Sequence, residues 1–356
     1  MSGFALEQIA IPATLDAPDA GPFVEAITVA GGVFADAFGT PDLDFDPTEE
    51  LPQYQNPFEP RRLFAARIEG RIVGVAKTQT QVGDDADTSW VDVLVRPESR
   101  RRGVGTALAE QVERSVAADG RRKLIAYVPG RGGDGELLPS PTGFGTILAD
   151  APATRFAQRR GYSFEQVARV SRLPLPIPGI AARLAAAERA SGPDYAVRTW
   201  VGRTPERWLE DRAVLSTRMS TDAPTAGLEE PEDVWTVERV RENDDRQERG
   251  NPRTRLVAAA EHLPTGRLVA FTVLSVPKPV ERAAHQYATL VLREHRGHRL
   301  GMLVKLANLE QLDRVVPGHP SVLTFNAEEN RPMLDVNEAV GFTEIAHEGA
   351  WRKDLA

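Results

Sequence analysis

Two ten-residue stretches share one skeleton: RPESRRRGVG at residues 96–105 and LREHRGHRLG at 292–301. Their final glycines, Gly105 and Gly301, lie 196 positions apart. The offset recurs upstream. LFAARIEGRIVGVAKTQ (63–79) reads as strand, turn, strand about Glu69-Gly70, and RLVAAAEHLPTGRLVAFTVLSV (255–276) does the same about Thr265-Gly266. Gly70 and Gly266 again differ by 196. Ordered features at one offset mark the chain as a duplication, so any fold must be built twice from about half the length.

The rest of each copy keeps the order. A strand precedes the basic loop: WVDVLV (90–95), then YATLV (287–291). An amphipathic helix follows it, with Val104, Leu108, Val112 and Val116 on one face in the first copy and Leu300, Val304, Ala307 and Leu312 in the second. Then come a strand (KLIAYV, 123–128; SVLTFN, 321–326) and a short helix ending at Gly161-Tyr162 or Gly341-Phe342. These pairs differ by 180, because 129–150 is a Gly/Pro-rich insertion in the first copy, read as a lid, an interface loop or a mobile surface loop. The division expected is a first domain over 1–175, a linker helix over 176–195 and a second domain over 196–356. The charged runs 41–50 and 229–250 read as solvated loops.

Composition narrows the function. There are no cysteines, which excludes disulfides and thiolate chemistry. A net charge of −8 argues against a nucleic-acid partner. The N-terminus lacks a basic start and an apolar signal core, and no apolar run is read as approaching the ~18 residues needed to cross a bilayer. A cytoplasmic protein with no membrane partner and no metal is the expectation, as a monomer (a pseudo-dimer) or a homodimer.

A glycine-marked turn that opens a helix presents backbone N–H groups without intrahelical partners, at the positive end of the macrodipole. Arginines add charge suited to phosphate. The loop lacks the Gly-Lys-Ser/Thr ending of a P-loop, and a hairpin rather than a βαβ unit precedes it, which argues against a dinucleotide fingerprint. A phosphate-bearing ligand and a plain basic helix start both remain open from the residues alone.

The pattern Arg100-x-x-Gly103-x-Gly105, after a hairpin and before a Gly-aromatic ending, resembles the Arg/Gln-x-x-Gly-x-Gly/Ala loop of the GNAT acyl-CoA-dependent N-acetyltransferases. The whole chain resembles tandem GNAT proteins of the actinobacterial, mycothiol synthase-like arrangement. The second copy departs from the pattern, with Arg299 where the first consensus glycine belongs. The resemblance implies an α/β (α+β) chain of two acyl-CoA N-acyltransferase folds. Each would be a mixed, mostly antiparallel sheet splayed between strands four and five and flanked by helices.

It further implies acetyl-CoA as cosubstrate and a small-molecule amine acceptor attacking directly. The alternative is a catalytically silent CoA-binding protein, a sensor or a structural pseudo-dimer. The pantetheine arm is expected along Val93, Leu94 and Val95, or Thr289, Leu290 and Val291. The diphosphate is expected on Arg100, Arg101, Arg102, Gly103, Val104, Gly105 and Thr106, or on Arg296, Gly297, His298, Arg299, Leu300, Gly301 and Met302.

Family members often carry an acidic tyrosine four residues before the Gly-aromatic pair; Ala157 and Asn337 stand there. Asn337 donates a hydrogen bond but no proton at neutral pH. Substitutes are Tyr287 on strand four, His295 in the loop, Asp92 as a carboxylate base, and the C-terminal carboxylate of Ala356. Asn326 and Asn330, with Asn337, form an expected polar rim for CoA or substrate. That rim inclines the reading towards the second copy as the transferase site, against the intact loop of the first.

Overall fold

The computed structural model describes residues 3–44, 46–80, 82, 87–250 and 252–355. Along the first half run β1 (Ala5–Ile9), α1 (Gly21–Phe38), α2 (Pro47–Tyr54), β2 (Arg61–Ile68), β3 (Arg71–Thr80), β4 (Thr88–Val95), α3 (Val104–Ala118) and β5 (Lys123–Gly130). A small hairpin of β6 (Leu137–Pro139) and β7 (Thr146–Leu148) precedes α4 (Pro152–Arg159) and β8 (Ser163–Pro174). The second half holds α5 (Ile180–Ser191), β9 (Tyr195–Val201), α6 (Leu209–Asp222), α7 (Val237–Gly250), β10 (Thr254–His262) and β11 (Arg267–Val276). It ends with β12 (Ala284–Val291), α8 (Leu300–Val315), β13 (Ser321–Ala327), α9 (Arg331–Val340) and β14 (Thr343–Asp354).

The chain folds as two compact units: 1–168 with 225–231 and 346–356, and 169–224 with 232–345. The first has strand order β1-β2-β3-β4-β5-β14, the second β9-β10-β11-β12-β13-β8. The β4–β5 and β12–β13 pairs are parallel; β1 through β4, β5–β14 and β9 through β12 are antiparallel. The fold class read from the sequence is the one observed. The unit boundaries differ from the sequence-based division. His347–Asp354 pair with Lys123–Gly130, so the C-terminal strand completes the first sheet. The backbone N–H of Leu175, just past β8, donates to the Pro320 carbonyl at 2.9 Å, within the second unit.

Alternation explains the layers. In the first unit Leu63, Ala65, Val75 and Leu94 face α1, where Phe23, Ile27, Ala30 and Val33 are buried. Their neighbours Phe64, Ala66, Ala76 and Val91 face Val104, Leu108, Val112 and Val116 of α3, the stripe expected from spacing. Glu69 and Gly70 both take positive φ (50° and 80°), the mirror-image turn that a two-residue hairpin demands. Contrary to the sequence reading, α1 is long and apolar enough to span a bilayer; here its apolar side packs into the core of the first unit.

In the second unit Val257, Ala259, Phe271 and Leu290 meet Trp208 and Leu215 beside α6, while Leu256, Ala258, Ala270 and Leu274 meet α8. Helix α8 is buried on nearly every side, not on one stripe, because α5 packs against it as well as the sheet. The 129–150 insertion is an ordered hairpin whose Ile147 is buried against Trp351, and the charged run 229–250 is largely helix α7.

Trp351 on β14 is 1% exposed and packs on Ile147, Ala157 and Val167, with the Phe164 ring 5.0 Å away. Trp351→Ala removes the largest side chain of this cluster. A loss of about 3–5 kcal/mol is expected, read as a lower urea midpoint for unfolding of the first unit.

Candidate active site

Each unit opens its sheet at the same place. β4 and β5 pair only through Thr88–Lys123, Ser89–Leu124 and Trp90–Ile125. Beyond Trp90, β4 stays paired with β3, Val93, Leu94 and Val95 opposing Ala76, Val75 and Gly74, and no described residue is recorded as pairing with its other edge. The second unit repeats this: β12–β13 pairing covers only Ala284–Gln286, while Thr289, Leu290 and Val291 oppose Thr272, Phe271 and Ala270. Backbone groups on these free edges need partners. The amides of a pantetheine arm would supply them, so both edges fit the group the resemblance implies.

The loops after these strands have one backbone conformation with glycine and arginine exchanged. In the first, Arg101 (φ 62°) and Gly103 (φ 83°) are left-handed. In the second, the equivalent positions are Gly297 (φ 89°) and Arg299 (φ 54°). Helix α3 starts at Gly103 and α8 at Arg299, each without a side-chain cap. The first helical N–H donations recorded are Ala107 to Gly103 and Leu303 to Arg299, each at 3.1 Å. The N–H groups of Val104, Gly105 and Thr106, and of Leu300, Gly301 and Met302, are thus offered to an anion.

Charge separates the two loops. Arg100, Arg101 and Arg102 are exposed, and among the described residues none has a recorded ion pair; the Arg100 Nε donates to the Val95 carbonyl at 3.0 Å. Arg296 makes the matching bond to Val291 at 3.2 Å but also pairs with Asp222 of α6 at 2.8 Å, and Arg293 reaches the same carboxylate at 3.3 Å. The second loop is partly neutralised by its own protein.

The opening of the first sheet is lined by titratable and aromatic groups. Asp92 of β4 is ion-paired with Lys77 at 3.2 Å. Glu348 of β14 is 8% exposed, and its carboxyl is raised to about 8 by burial and by the nearby Asp92 charge. Residues 225–231, from the loop between α6 and α7, lie on the same face. Leu228 is fully buried against Ile125, Ala350, Trp90 and Tyr127. The Tyr127 hydroxyl donates to Glu230 at 2.7 Å, and Trp90 also bonds that carboxylate. Lys123 and Arg352 fix Glu229 at 3.6 and 2.7 Å. Tyr54 of α2 is buried close enough to Asp92 that the carboxylate helps to push its phenol upward, after burial itself.

The second opening is built differently. A register shift between Val273 and Leu274 leaves Tyr287 as the extra residue of a bulge, 69% exposed. The neighbouring Gln286 amide donates to Thr272 Oγ1, Val273 O and Ala288 O at 2.8, 2.7 and 3.0 Å. Asn337 is buried, and its amide donates to Asn326 Oδ1 at 2.7 Å. Asn330 precedes α9 without capping it through its side chain. Of the expected asparagine rim, two members bond each other.

His295 is held elsewhere: its Nδ1 lies 3.0 Å from the Tyr195 hydroxyl, with the His262 ring 4.8 Å away. Burial and the neighbouring His262 lower its pKa. His298 stacks 5.1 Å from Tyr195. The structure assembles Asp92 with Glu348, a residue the sequence reading did not single out, and does not gather Tyr287, His295 and Asn337 around one point. Ala356 lies outside the described residues.

Residues 34–129 match the Acetyltransferase (GNAT) family, covering the first opening and its loop. The chain is 28% identical over 262 residues to the mycothiol acetyltransferase of Thermomonospora curvata, spanning 72% of this chain and 70% of that protein. A tandem GNAT protein from the clavulanic acid biosynthesis pathway, solved without AcCoA, superposes with a TM-score of 0.74 at 24% identity over 99% of both chains. A GCN5-related N-acetyltransferase from Sphaerobacter thermophilus gives 0.61 at 15% identity over 99% of this chain and 96% of its own. The chain as a whole has a tandem GNAT fold, with the family match lying in its first unit. GNAT acetyltransferases use acetyl-CoA; both openings here combine a helix start without a side-chain cap and a strand edge with no pairing recorded among the described residues.

A left-handed arginine is strained where a glycine is not. Arg299→Gly is expected to stabilise the second unit by about 1 kcal/mol. Urea unfolding checks it; an unchanged or lowered midpoint would show that Arg299 gains more from its side chain than its backbone costs.

Proposed function

We propose that acetyl is transferred from acetyl-CoA to the primary amine of a small molecule, by direct attack, at the opening of the first unit. The observation that carries this reading is the buried Glu348 carboxyl beside Asp92, where β4 and β5 part. Acetyl-CoA supplies the thioester acetyl group when bound. The residues that hold it are the edge Val93–Val95, the N–H groups of Val104–Thr106 and the arginines Arg100–Arg102. The incoming ammonium has to lose a proton before its nitrogen can attack. Glu348 takes that proton, because a carboxyl held near neutrality both accepts and returns one at working pH. That first proton passes on to solvent, and the second, shed by the attacking nitrogen as the tetrahedral intermediate collapses, goes to the departing thiolate.

This places the chemistry in the first copy, against the inclination drawn from the asparagines of the second. The reasons are the unpaired arginines of its loop and the engagement of Asn337 with Asn326. A base works in its ionised form, so kcat/KM is expected to rise with pH through the ionisation of Glu348, near 8. Glu348→Gln is expected to remove that limb and lower kcat by about 10²–10⁴-fold. An unchanged profile with full activity refutes the assignment.

The bulge at Tyr287 favours a second reading, in which transfer occurs in the second unit with the exposed phenol as proton donor. Tyr287→Phe then costs more activity than Glu348→Gln.

A further inference from the structure

The acceptor side of the first opening holds more carboxylate than one amine requires. Glu348 is nine-tenths buried, and no hydrogen bond from a described side chain to its carboxyl is recorded. Asp92, whose one recorded cationic partner is Lys77 at 3.2 Å, lies near enough for its charge to act on Glu348. On the other side of Tyr127 sits Glu230. It is held by the Tyr127 hydroxyl at 2.7 Å and by Trp90, with no ion pair to it recorded among the described residues. Burial holds both carboxyls above their usual range, and among the described residues no arginine or lysine is recorded in an ion pair with either.

Removing carboxylates from water without a counter-ion is costly, and a cation supplied from outside relieves the cost. Two donors leave a carboxylate such as Glu230 with unused acceptor sites, which suit the N–H groups of an ammonium.

We propose that the acceptor is a dication: one amine is presented at Glu348 and Asp92 for acetylation, and a second cationic nitrogen is held at Glu230 between Trp90 and Tyr127. This rests on the first opening being the acceptor site. The 225–231 segment then acts as the specificity wall of the first unit, supplied from the α6–α7 loop and fixed by Leu228.

The test is calorimetric titration of the full chain, saturated with CoA, using α,ω-diamines from propane to hexane and n-alkylamines of matched length. At least one diamine is expected to bind about tenfold or more tightly than its matched monoamine. Glu230→Gln is expected to bring that ratio close to one. Tyr127→Phe, which keeps the ring and removes one bond to Glu230, is expected to lower it in part and guards against a folding defect in the first variant. Equal affinity of diamine and monoamine in the unaltered protein, or a ratio that survives both substitutions, overturns the proposal. Turnover is read separately. Diamine preference without acetylation leaves the dication site standing and sinks the proposed transfer there; acetylation of monoamines and diamines alike does the reverse.

Discussion

Strands β4 and β5 stay together for three residue pairs and then separate. Nearly everything functional about the first unit follows from that. Past Trp90 one edge of β4 has no neighbouring strand, although its backbone groups are as polar as those of any other strand. β5 continues instead with β14 on its far side, over the eight residues His347–Asp354. The same strand delivers Glu348 to the opening, so the pairing that closes the sheet also furnishes its buried acid. The backbone constraint comes first and the chemistry occupies the gap it leaves.

The duplication preserved this gap and varied what surrounds it. Both loops keep two left-handed residues, though glycine and arginine trade places between 101 and 297, and between 103 and 299. Both following helices begin uncapped. In the second unit, however, Asp222 takes Arg296, Gln286 occupies the bulge carbonyls, and Asn326 takes Asn337. Of these, the Arg296 contact uses a group whose first-unit counterpart, Arg100, has no ion pair recorded among the described residues. The two halves thus share a scaffold and differ in how much of their recognition surface is already satisfied internally.

Much of the scaffold was legible because it is local. A two-residue turn at Glu69-Gly70, an apolar spacing in α3 and a glycine before a helix each report on their own neighbourhood, and each stands where the sequence puts it. The site was legible only where it too is local: Asp92, the loop and the strand edges. Glu348 escaped because TEIAHEGAWRKD reads as a last strand, and nothing in it says which sheet it joins. Glu230 escaped because an acidic stretch looks solvated until Tyr127, Trp90 and Ile125 are known to lie over it. The asparagines misled in the opposite sense, since spacing placed Asn337 on a face but could not show that Asn326 is its partner. His295 was drawn from its loop by Tyr195, one hundred residues earlier.

Amide hydrogen exchange of the full chain, with and without saturating acetyl-CoA, tests the central claim most directly. The account predicts slowed exchange along Val91–Val95 and at Val104–Thr106, the free edge and open helix start of the first unit. Protection confined to Tyr287–Val291 and Leu300–Met302, or none at either opening, would contradict it.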